Sequence, residues 1–223
     1  MPLSFTEENY IKLIYRASKA NTTNIDQEVT TNEIADLTQT KPASVSDMLK
    51  KLAAKGLINY VKYQGVTLTP EGEAKALLVI RKHRLWEVFL VDKLQFSWDQ
   101  VHDIAEQLEH IQSDELINRL DKFLEFPQYD PHGDPIPNDK GELTNKKQVY
   151  LIDMKIGDSG DVVGVKETSP LFLRYLDKIG VNIGAHIEIM DKIEFDQSLE
   201  IKVNKNRLII ISKDIAQNIY TLD

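Results

Sequence analysis

Residues 31–69 read TNEIADLTQTKPASVSDMLKKLAAKGLINYVKYQGVTLT, and this stretch decides the fold of the first third of the chain. The apolar spacing predicts a short helix, a tight turn and a second helix. Pro42 suits the first turn of that second helix, and Gly56 suits its end. The alternating residues that follow predict a two-stranded hairpin. Two helices joined by a turn and followed by a hairpin are typical of a winged helix-turn-helix.

Helical patterns continue on both sides of this stretch. Upstream, residues 4–21 carry a capping box and apolar residues at helical spacing. Downstream, similar patterns predict helices over residues 70–96, 98–111 and 114–126. The first 126 residues are therefore expected to be mainly helical.

The texture changes after Phe126, where prolines and glycines crowd the sequence. This change predicts a linker or an irregular loop. Five short alternating segments and one helical segment, SPLFLRYLDKIG, then predict a small SH3-like β-barrel. We expect a mainly α fold with β, divided into a winged helix-turn-helix (1–70), a helical domain (71–127), a linker (128–148) and an SH3-like domain (149–223).

The length and amino-acid composition of the chain limit the classes of protein to which it can belong. A chain of 223 residues is long enough for two or three modules, and 42% hydrophobic with 28% charged residues suits a globular protein. The sequence has no cysteine, which excludes disulfides and thiolate metal ligands. Neither a membrane-length apolar run nor the pattern of a signal peptide is present, so we expect a cytoplasmic protein.

Charge is distributed unevenly along the chain. The formal net charge is −8, yet residues 41–65 hold five lysines against one acid. Residues 92–139 hold twelve acids against three bases. Two solvated faces of opposite sign would explain this pattern, as would a DNA-facing segment beside one that collects cations.

The second helix of a helix-turn-helix places its N-terminal residues in the major groove, and nearby lysines neutralise phosphates. The predicted DNA-binding residues are Pro42, Ala43, Ser44, Ser46, Asp47, Lys50, Lys51 and Lys62. A winged helix can also mediate protein contacts, so a protein-interaction module is the alternative. A steep salt dependence of DNA affinity would distinguish the two.

Histidines and carboxylates form a second pattern in the helical region. His83 and Glu87 are spaced i,i+4 and share one helix face. On the next predicted helix, one face carries His102, Glu106, Glu109 and His110. If the two faces meet, the carboxylates would repel one another unless a cation lay between them. Imidazole and carboxylate without thiolate suit manganese, iron(II), zinc, cobalt or nickel. The alternative is a solvated polar face.

An enzyme is the rival from another class. The same cluster could serve a metallohydrolase, but E-x-x-E-H has Glu106 in place of the first histidine of the H-x-x-E-H pattern. The paired Glu-x-x-His motifs of ferritin-like sites are also missing. We therefore expect a regulator and not an enzyme.

Taken together, these segments resemble the diphtheria toxin repressor and manganese transport regulator family of metal-dependent repressors. The segments that carry the resemblance are ENYIKLIY, KPASVSDMLKKLAAKGLI, TPEGEAKA, IRKHRLWEVFL, VHDIAEQLEHIQSDELINRL and PHGDPIP. The resemblance implies metal-dependent repression at a double-stranded DNA operator. It also implies that the helical region is a dimerisation domain of a homodimer, followed by an SH3-like domain as in longer members.

The resemblance also implies two metal sites. His83, Glu87 and His102 match the ancillary site, to which Glu167 fits as a ligand from the C-terminal domain. Glu106, Glu109 and His110 match the primary site, which Asn9 would complete from the first helix.

Three positions depart from the iron-responsive or manganese-responsive members. Asn9 stands where iron-responsive members have methionine and manganese-responsive members have aspartate, and its amide oxygen would ligate more weakly than a carboxylate. Glu106 stands where iron-responsive members have cysteine, and this oxygen ligand favours Mn²⁺, with Fe²⁺ as the alternative. Lys12 stands where short manganese regulators have a second helix-one acid, so their two-metal arrangement is not expected here.

Overall fold

The computed structural model describes residues 2–20, 28–61, 65–143, 148–204 and 206–222. The helices are α1 (Phe5–Ala20), α2 (Thr31–Thr38), α3 (Pro42–Ala54), α4 (Pro70–Asp92), α5 (His102–Leu108), α6 (Asp114–Phe123), α7 (Pro170–Ile179) and α8 (Lys213–Ala216). The strands are β1 (Ile58–Val61), β2 (Gly65–Leu68), β3 (Gln148–Tyr150), β4 (Ser159–Val165), β5 (His186–Lys192), β6 (Leu199–Val203), β7 (Arg207–Ile211) and β8 (Ile219–Leu222). The predicted fold class, mainly α with β, is confirmed.

The chain divides into two compact units, and the boundary falls inside α4. The N-terminal unit contains Met1–His83, Glu109–Gln112 and Pro137–Glu142. The C-terminal unit contains Arg84–Leu108, Ser113–Ile136 and Leu143–Asp223. Each has its own buried apolar core.

The N-terminal unit is built on the predicted helix-turn-helix and wing. At the start of α1, Ser4 and Glu7 form the expected capping box, in which the Ser4 backbone N–H donates to the Glu7 carboxylate at 2.8 Å. β1 and β2 pair antiparallel as the wing, with Ile58 opposite Leu68. Three helices pack on the hairpin around a core whose fully buried members include Ile11, Ile14, Ile34, Leu49 and Leu52.

Helix α4 is the longest element, with 23 residues. It ends at Asp92, four residues before the predicted end, because the chain turns there and Gln95 adopts a left-handed conformation with φ 59°. Charged residues recur throughout α4, and no helix in the described ranges has the length and apolarity needed to cross a membrane.

The helical part of the C-terminal unit packs α6 on the second half of α4. Its core consists of Leu85, Val88, Ile117, Leu120, Leu124 and Ile136. Helix α6 begins where the sequence predicts, because the Ser113 hydroxyl accepts a hydrogen bond from the Leu116 backbone N–H at 3.3 Å. It ends at Phe123 rather than at Phe126, since both Glu125 and Phe126 have positive φ.

The rest of the C-terminal unit is an antiparallel sheet of six strands in the order β3-β8-β4-β5-β6-β7. Residues 149–156, predicted as one strand, form the short β3 and then a 3₁₀ turn at Leu151–Asp153, whose first residue is fully buried in the core. The sequence patterns missed α8 and β8. Strand β8 lies between β3 and β4, so this segment completes the sheet.

Candidate metal centre and DNA-binding surface

Helix α3 presents the predicted DNA-contacting residues largely to solvent. Its apolar stripe, Val45, Leu49 and Leu52, is buried, which leaves the opposite face exposed. Of the predicted contacts on α3, Ser46 is half-buried and the others are exposed, and Lys62 lies outside the described residues. The surface therefore combines small polar side chains with lysines, as a major-groove contact requires.

One charge on this face is compensated within the helix. Lys50 donates to Asp47 at 3.0 Å, and hydrogen bonding to that carboxylate raises the pKa of Lys50 above its usual value. Lys51 is exposed on the same helix. The net positive charge of the face is therefore smaller than its lysines alone suggest.

A cluster of buried or half-buried polar side chains connects α1 with α4 and with the segment after α5. We call it the helix-one cluster, and its members are Glu8, Lys12, Lys82, His83, Glu109 and His110. Glu109 is fully buried, and its carboxylate contacts the Lys12 ammonium at 2.6 Å and His83 Nδ1 at 2.7 Å. Burial raises the pKa of Glu109, but these two partners outweigh burial and hold it below its usual value.

The second carboxylate of the cluster is Glu8. Its Oε2 lies 2.6 Å from His110 Nδ1, and its Oε1 accepts from the Gln112 side chain at 3.0 Å. The Lys82 ammonium is 3.5 Å from Glu8, and Phe5 stacks on the His110 ring with centroids 4.8 Å apart. These contacts join α1 to residues 109–112 within the N-terminal unit.

The family resemblance placed Asn9, not Glu8, in the metal site. Asn9 is exposed, whereas Glu8 is buried and paired with His110. Helix periodicity could have identified Glu8, because it lies four residues before Lys12 and so shares its face.

The predicted stripe of four ligands on one helix face is wrong in its geometry. Helix α5 ends at Leu108, so Glu109 and His110 lie in the turn that follows and not on the helix. Both are buried, while the side chains of His102 and Glu106 are 50% and 48% exposed and lie 3.7 Å apart. The end of the helix redirects the last two side chains.

A second buried cluster lies in the C-terminal unit. We call it the loop cluster, and its members are Glu87, Asp130 and His132. Each offers a ligand atom, and these atoms lie within 4.8 Å of one another. Glu87 Oε2 lies 3.6 Å from His132 Nδ1, and Glu87 Oε1 lies 3.5 Å from His102 Nδ1. The Glu87 carboxylate therefore faces both histidines.

Charge and burial oppose each other in the loop cluster. Burial lowers the pKa of His132, but Glu87 and Asp130 raise it to about 9. Burial and the neighbouring carboxylates of Glu87 and Asp134 raise the pKa of Asp130 to about 7. A divalent cation would relieve this repulsion between carboxylates, so the donor set fits an ion.

Sequence patterns missed Asp130 and His132 because they lie in the predicted linker. Asp130 Oδ1 accepts the backbone N–H groups of His132 at 2.8 Å and Asp134 at 2.9 Å, which makes a tight turn. Arg84 on α4 reaches both Asp130 and Asp134 and also donates to the Pro135 carbonyl. The motif PHGDP, at residues 131–135, was the available signal.

The two remaining predicted ligands differ in exposure. Glu167 is exposed, and its carboxylate accepts from the Ser169 backbone N–H at 2.8 Å. His83 is buried one helical turn before Glu87 on α4.

The pKa of His132 predicts a pH dependence of stability. Because this pKa is raised from 6.5 to about 9, the stabilisation is fully present below pH 6.5 and is lost as the pH rises through 9. In chelator-treated protein, the His132→Asn variant should therefore be less stable than the parent at pH 6.5 by up to about 3 kcal/mol. The difference should shrink at pH 9.5 in urea denaturation; a gap that stays constant with pH would contradict this charge assignment.

Three family models match successive parts of the chain. Residues 2–66 match the iron-dependent repressor N-terminal DNA-binding domain, and residues 69–138 match the iron-dependent repressor metal-binding and dimerisation domain. Residues 149–221 match the FeoA domain. Together they cover both described clusters and the α3 surface.

Individual relatives agree with these matches. The iron-dependent repressor IdeR of Mycobacterium leprae is 33% identical over 165 residues, which are 71% of this chain and 70% of the relative. A probable metal transport system membrane protein of Chlamydia trachomatis is 44% identical over 86 residues, 39% of this chain but only 19% of that protein. A solved structure of a manganese-dependent transcriptional repressor in complex with manganese has 34% identity and a TM-score of 0.76, and covers 97% of this chain and 99% of that one. The chain therefore belongs to the iron-dependent repressor family of metal-dependent transcriptional regulators.

Proposed function

We propose that this chain is a manganese-dependent repressor that binds a double-stranded DNA operator as a homodimer. The observation that carries the proposal is the contact of α1 with the buried Glu109 and His110. Glu8 and Lys12 come from the segment matched as DNA-binding, whereas Glu109 and His110 come from the segment matched as metal-binding. One polar cluster of nitrogen and oxygen donors therefore joins the two matched segments.

For the primary site we propose Glu106, Glu109 and His110, completed from α1 by Asn9 or by its neighbour Glu8. Glu8 is favoured because it is already buried against His110. A bound divalent cation would supply the positive charge that lets several carboxylates and imidazoles share one site. These donors include no thiolate, since the chain has no cysteine, and this donor set suits Mn²⁺ or Fe²⁺.

For the ancillary site we propose Glu87 as the central ligand. Its possible partners are His83 and His102, implied by the family resemblance, or Asp130 and His132, which share the loop cluster with it. Glu167 stays a candidate ligand, although it is exposed here and paired with Ser169.

The homodimer is supported by apolar side chains that α6 and the residues just after it leave in solvent. Phe123 and Phe126 are each 59% exposed, and Leu116 is 41% exposed. They lie in the segment matched as a dimerisation domain. A dimer would present two α3 helices to operator half-sites that lie about one turn of the DNA double helix apart.

The regulation we propose is a shift between arrangements of α1. Glu8 and Lys12 hold α1 against residues 109–112, and an ion that favours this arrangement favours operator binding. A nearly complete switch needs about 5.5 kcal/mol of differential ion binding. By linkage, operator DNA must tighten ion binding by the same factor.

The test is operator binding measured against added metal. The probe is a labelled duplex selected by the protein from a random library in the presence of Mn²⁺. We expect Mn²⁺ to raise the affinity and the affinity to fall steeply with salt. A larger response to Fe²⁺ under anaerobic conditions would assign the chain to iron instead, and equal affinity with and without any divalent ion would refute the proposal.

The Glu106→Ala variant tests the primary site separately from the fold. Because Glu106 is half exposed on α5, its loss should leave the melting temperature within a few degrees of the parent. We expect the Mn²⁺ response of operator binding to fall at least about tenfold, equivalent to about 1.4 kcal/mol. The control is Glu115→Ala, an exposed acid on α6 that pairs with Arg119. An unaltered response in Glu106→Ala would remove this residue from the site.

A further inference from the structure

The helix-one cluster contains a buried cation that belongs to the chain itself. The Lys12 and Glu109 side chains are 7% and 0% exposed, and Lys12 Nζ lies 2.6 Å from Glu109 Oε1. Glu109 Oε2 lies 2.7 Å from His83 Nδ1. Both oxygens of this carboxylate therefore have partners before any ion binds.

The same compensation is found at the other carboxylate of the cluster. Glu8, with a side chain 7% exposed, has the Lys82 ammonium 3.5 Å away and the His110 ring 2.6 Å away. The two buried acids are thus matched by two ammonium groups. Buried charges are tolerated when they are paired, and removing one member leaves its partner uncompensated. The cluster can accordingly stay closed without a metal ion.

We propose that Lys12 is a tethered cation that takes the place of a metal ion at Glu109. In the ion-free protein it holds α1 to Glu109, and it must give up that carboxylate when an ion binds there. This inference rests on the proposed function, since it assumes that Glu109 is a ligand of the primary site.

Two consequences follow, and they have opposite signs. The ammonium supports the closed position of α1, so the ion-free protein keeps part of its affinity for the operator. The ammonium also competes for Glu109, so it weakens Mn²⁺ binding. A lysine with only a packing role would instead favour both operator binding and ion binding, because both need the folded cluster.

The experiment uses the full chain and its Lys12→Gln variant. Mn²⁺ affinity is measured by calorimetry, and operator affinity is measured in the presence of chelator with the selected duplex. We expect Lys12→Gln to bind Mn²⁺ at least about tenfold more tightly and to bind the operator without metal at least about tenfold more weakly, each about 1.4 kcal/mol. The control is Lys19→Gln, also on α1, whose half-exposed side chain pairs with Glu73 at 3.4 Å. It should change neither affinity.

Three other outcomes would contradict the role of Lys12 or the proposed function. If Lys12→Gln weakens both affinities, or changes neither, Lys12 is not a stand-in for an ion. If Lys12→Gln unfolds without metal, Mn²⁺ should restore its melting transition. If both Lys12→Gln and Lys12→Met stay unfolded in the presence of Mn²⁺, the inference is overturned. A parent protein whose operator binding ignores Mn²⁺ would instead refute the proposed function.

Discussion

The Glu109→Gln variant is expected to lose both stability and its manganese response. The substitution keeps the side-chain volume but removes the charge that faces Lys12 at 2.6 Å in a fully buried position. Breaking a buried ion pair from one side typically costs about 3–5 kcal/mol, because the remaining charge stays buried without its partner. Urea denaturation in chelator would measure this loss, and operator binding with Mn²⁺ would measure the response.

The matched control for this prediction is Glu115→Gln on α6. Glu115 pairs with Arg119 at the same 2.6 Å distance, but its side chain is 74% exposed. Exposed pairs contribute about 0–1 kcal/mol, so this variant should retain its stability and its manganese response. If the two variants lost equal stability, the burial of Glu109 would not have the energetic role assigned to it.

The Gly133→Ala variant is expected to destabilise the C-terminal unit and to disrupt the loop cluster. Gly133 has φ +87°, and a Cβ at this position would lie 1.9 Å from the Val163 carbonyl oxygen on β4. An unfavourable backbone conformation and a backbone clash together should cost about 3 kcal/mol or more. Because Gly133 follows His132 directly, the turn that places Asp130 and His132 beside Glu87 must also shift.

Gly157→Ala separates the two causes of this loss. Gly157 has φ +90° in the same unit, but nothing lies within 4 Å of the position that its Cβ would take. This variant should cost only the conformational strain, about 1–2 kcal/mol. Thermal melting of both variants, with and without Mn²⁺, measures the difference. Equal losses of stability in the two variants would mean that the close approach of Gly133 to β4 does not contribute to the cost.

The sequence predicted the helices of the N-terminal unit well because their signals are local. Capping residues, Pro42 and the apolar spacing act within one or two helical turns, and each agrees with the same fold. The ends of α4, α5 and α6 were predicted three or four residues too late. The end of α5 at Leu108 was missed, and this error matters because it separates Glu109 and His110 from the helix face that carries His102.

For the candidate site, too, local signals were predicted from the sequence and long-range contacts were not. Residue types and spacing were enough to select His83, Glu87, Glu109 and His110 as members of polar clusters, and the absence of cysteine limited the donors to nitrogen and oxygen. No local pattern could pair Glu8 with His110, which is 102 residues away, or Lys12 with Glu109, which is 97 residues away.

Local sequence was sufficient for the order of the helices and wing up to α6 and for the chemistry of the donors, but not for α8 and β8, because capping, periodicity and side-chain type are properties of neighbouring residues. Which donors are buried together depends on long-range packing, and this packing brings Asp130 and His132 of an irregular loop to Glu87. It also places the ammonium of Lys12 on Glu109. The physical reason is that burial and charge compensation depend on contacts between distant segments, which the packing of the cores sets and which no local pattern records.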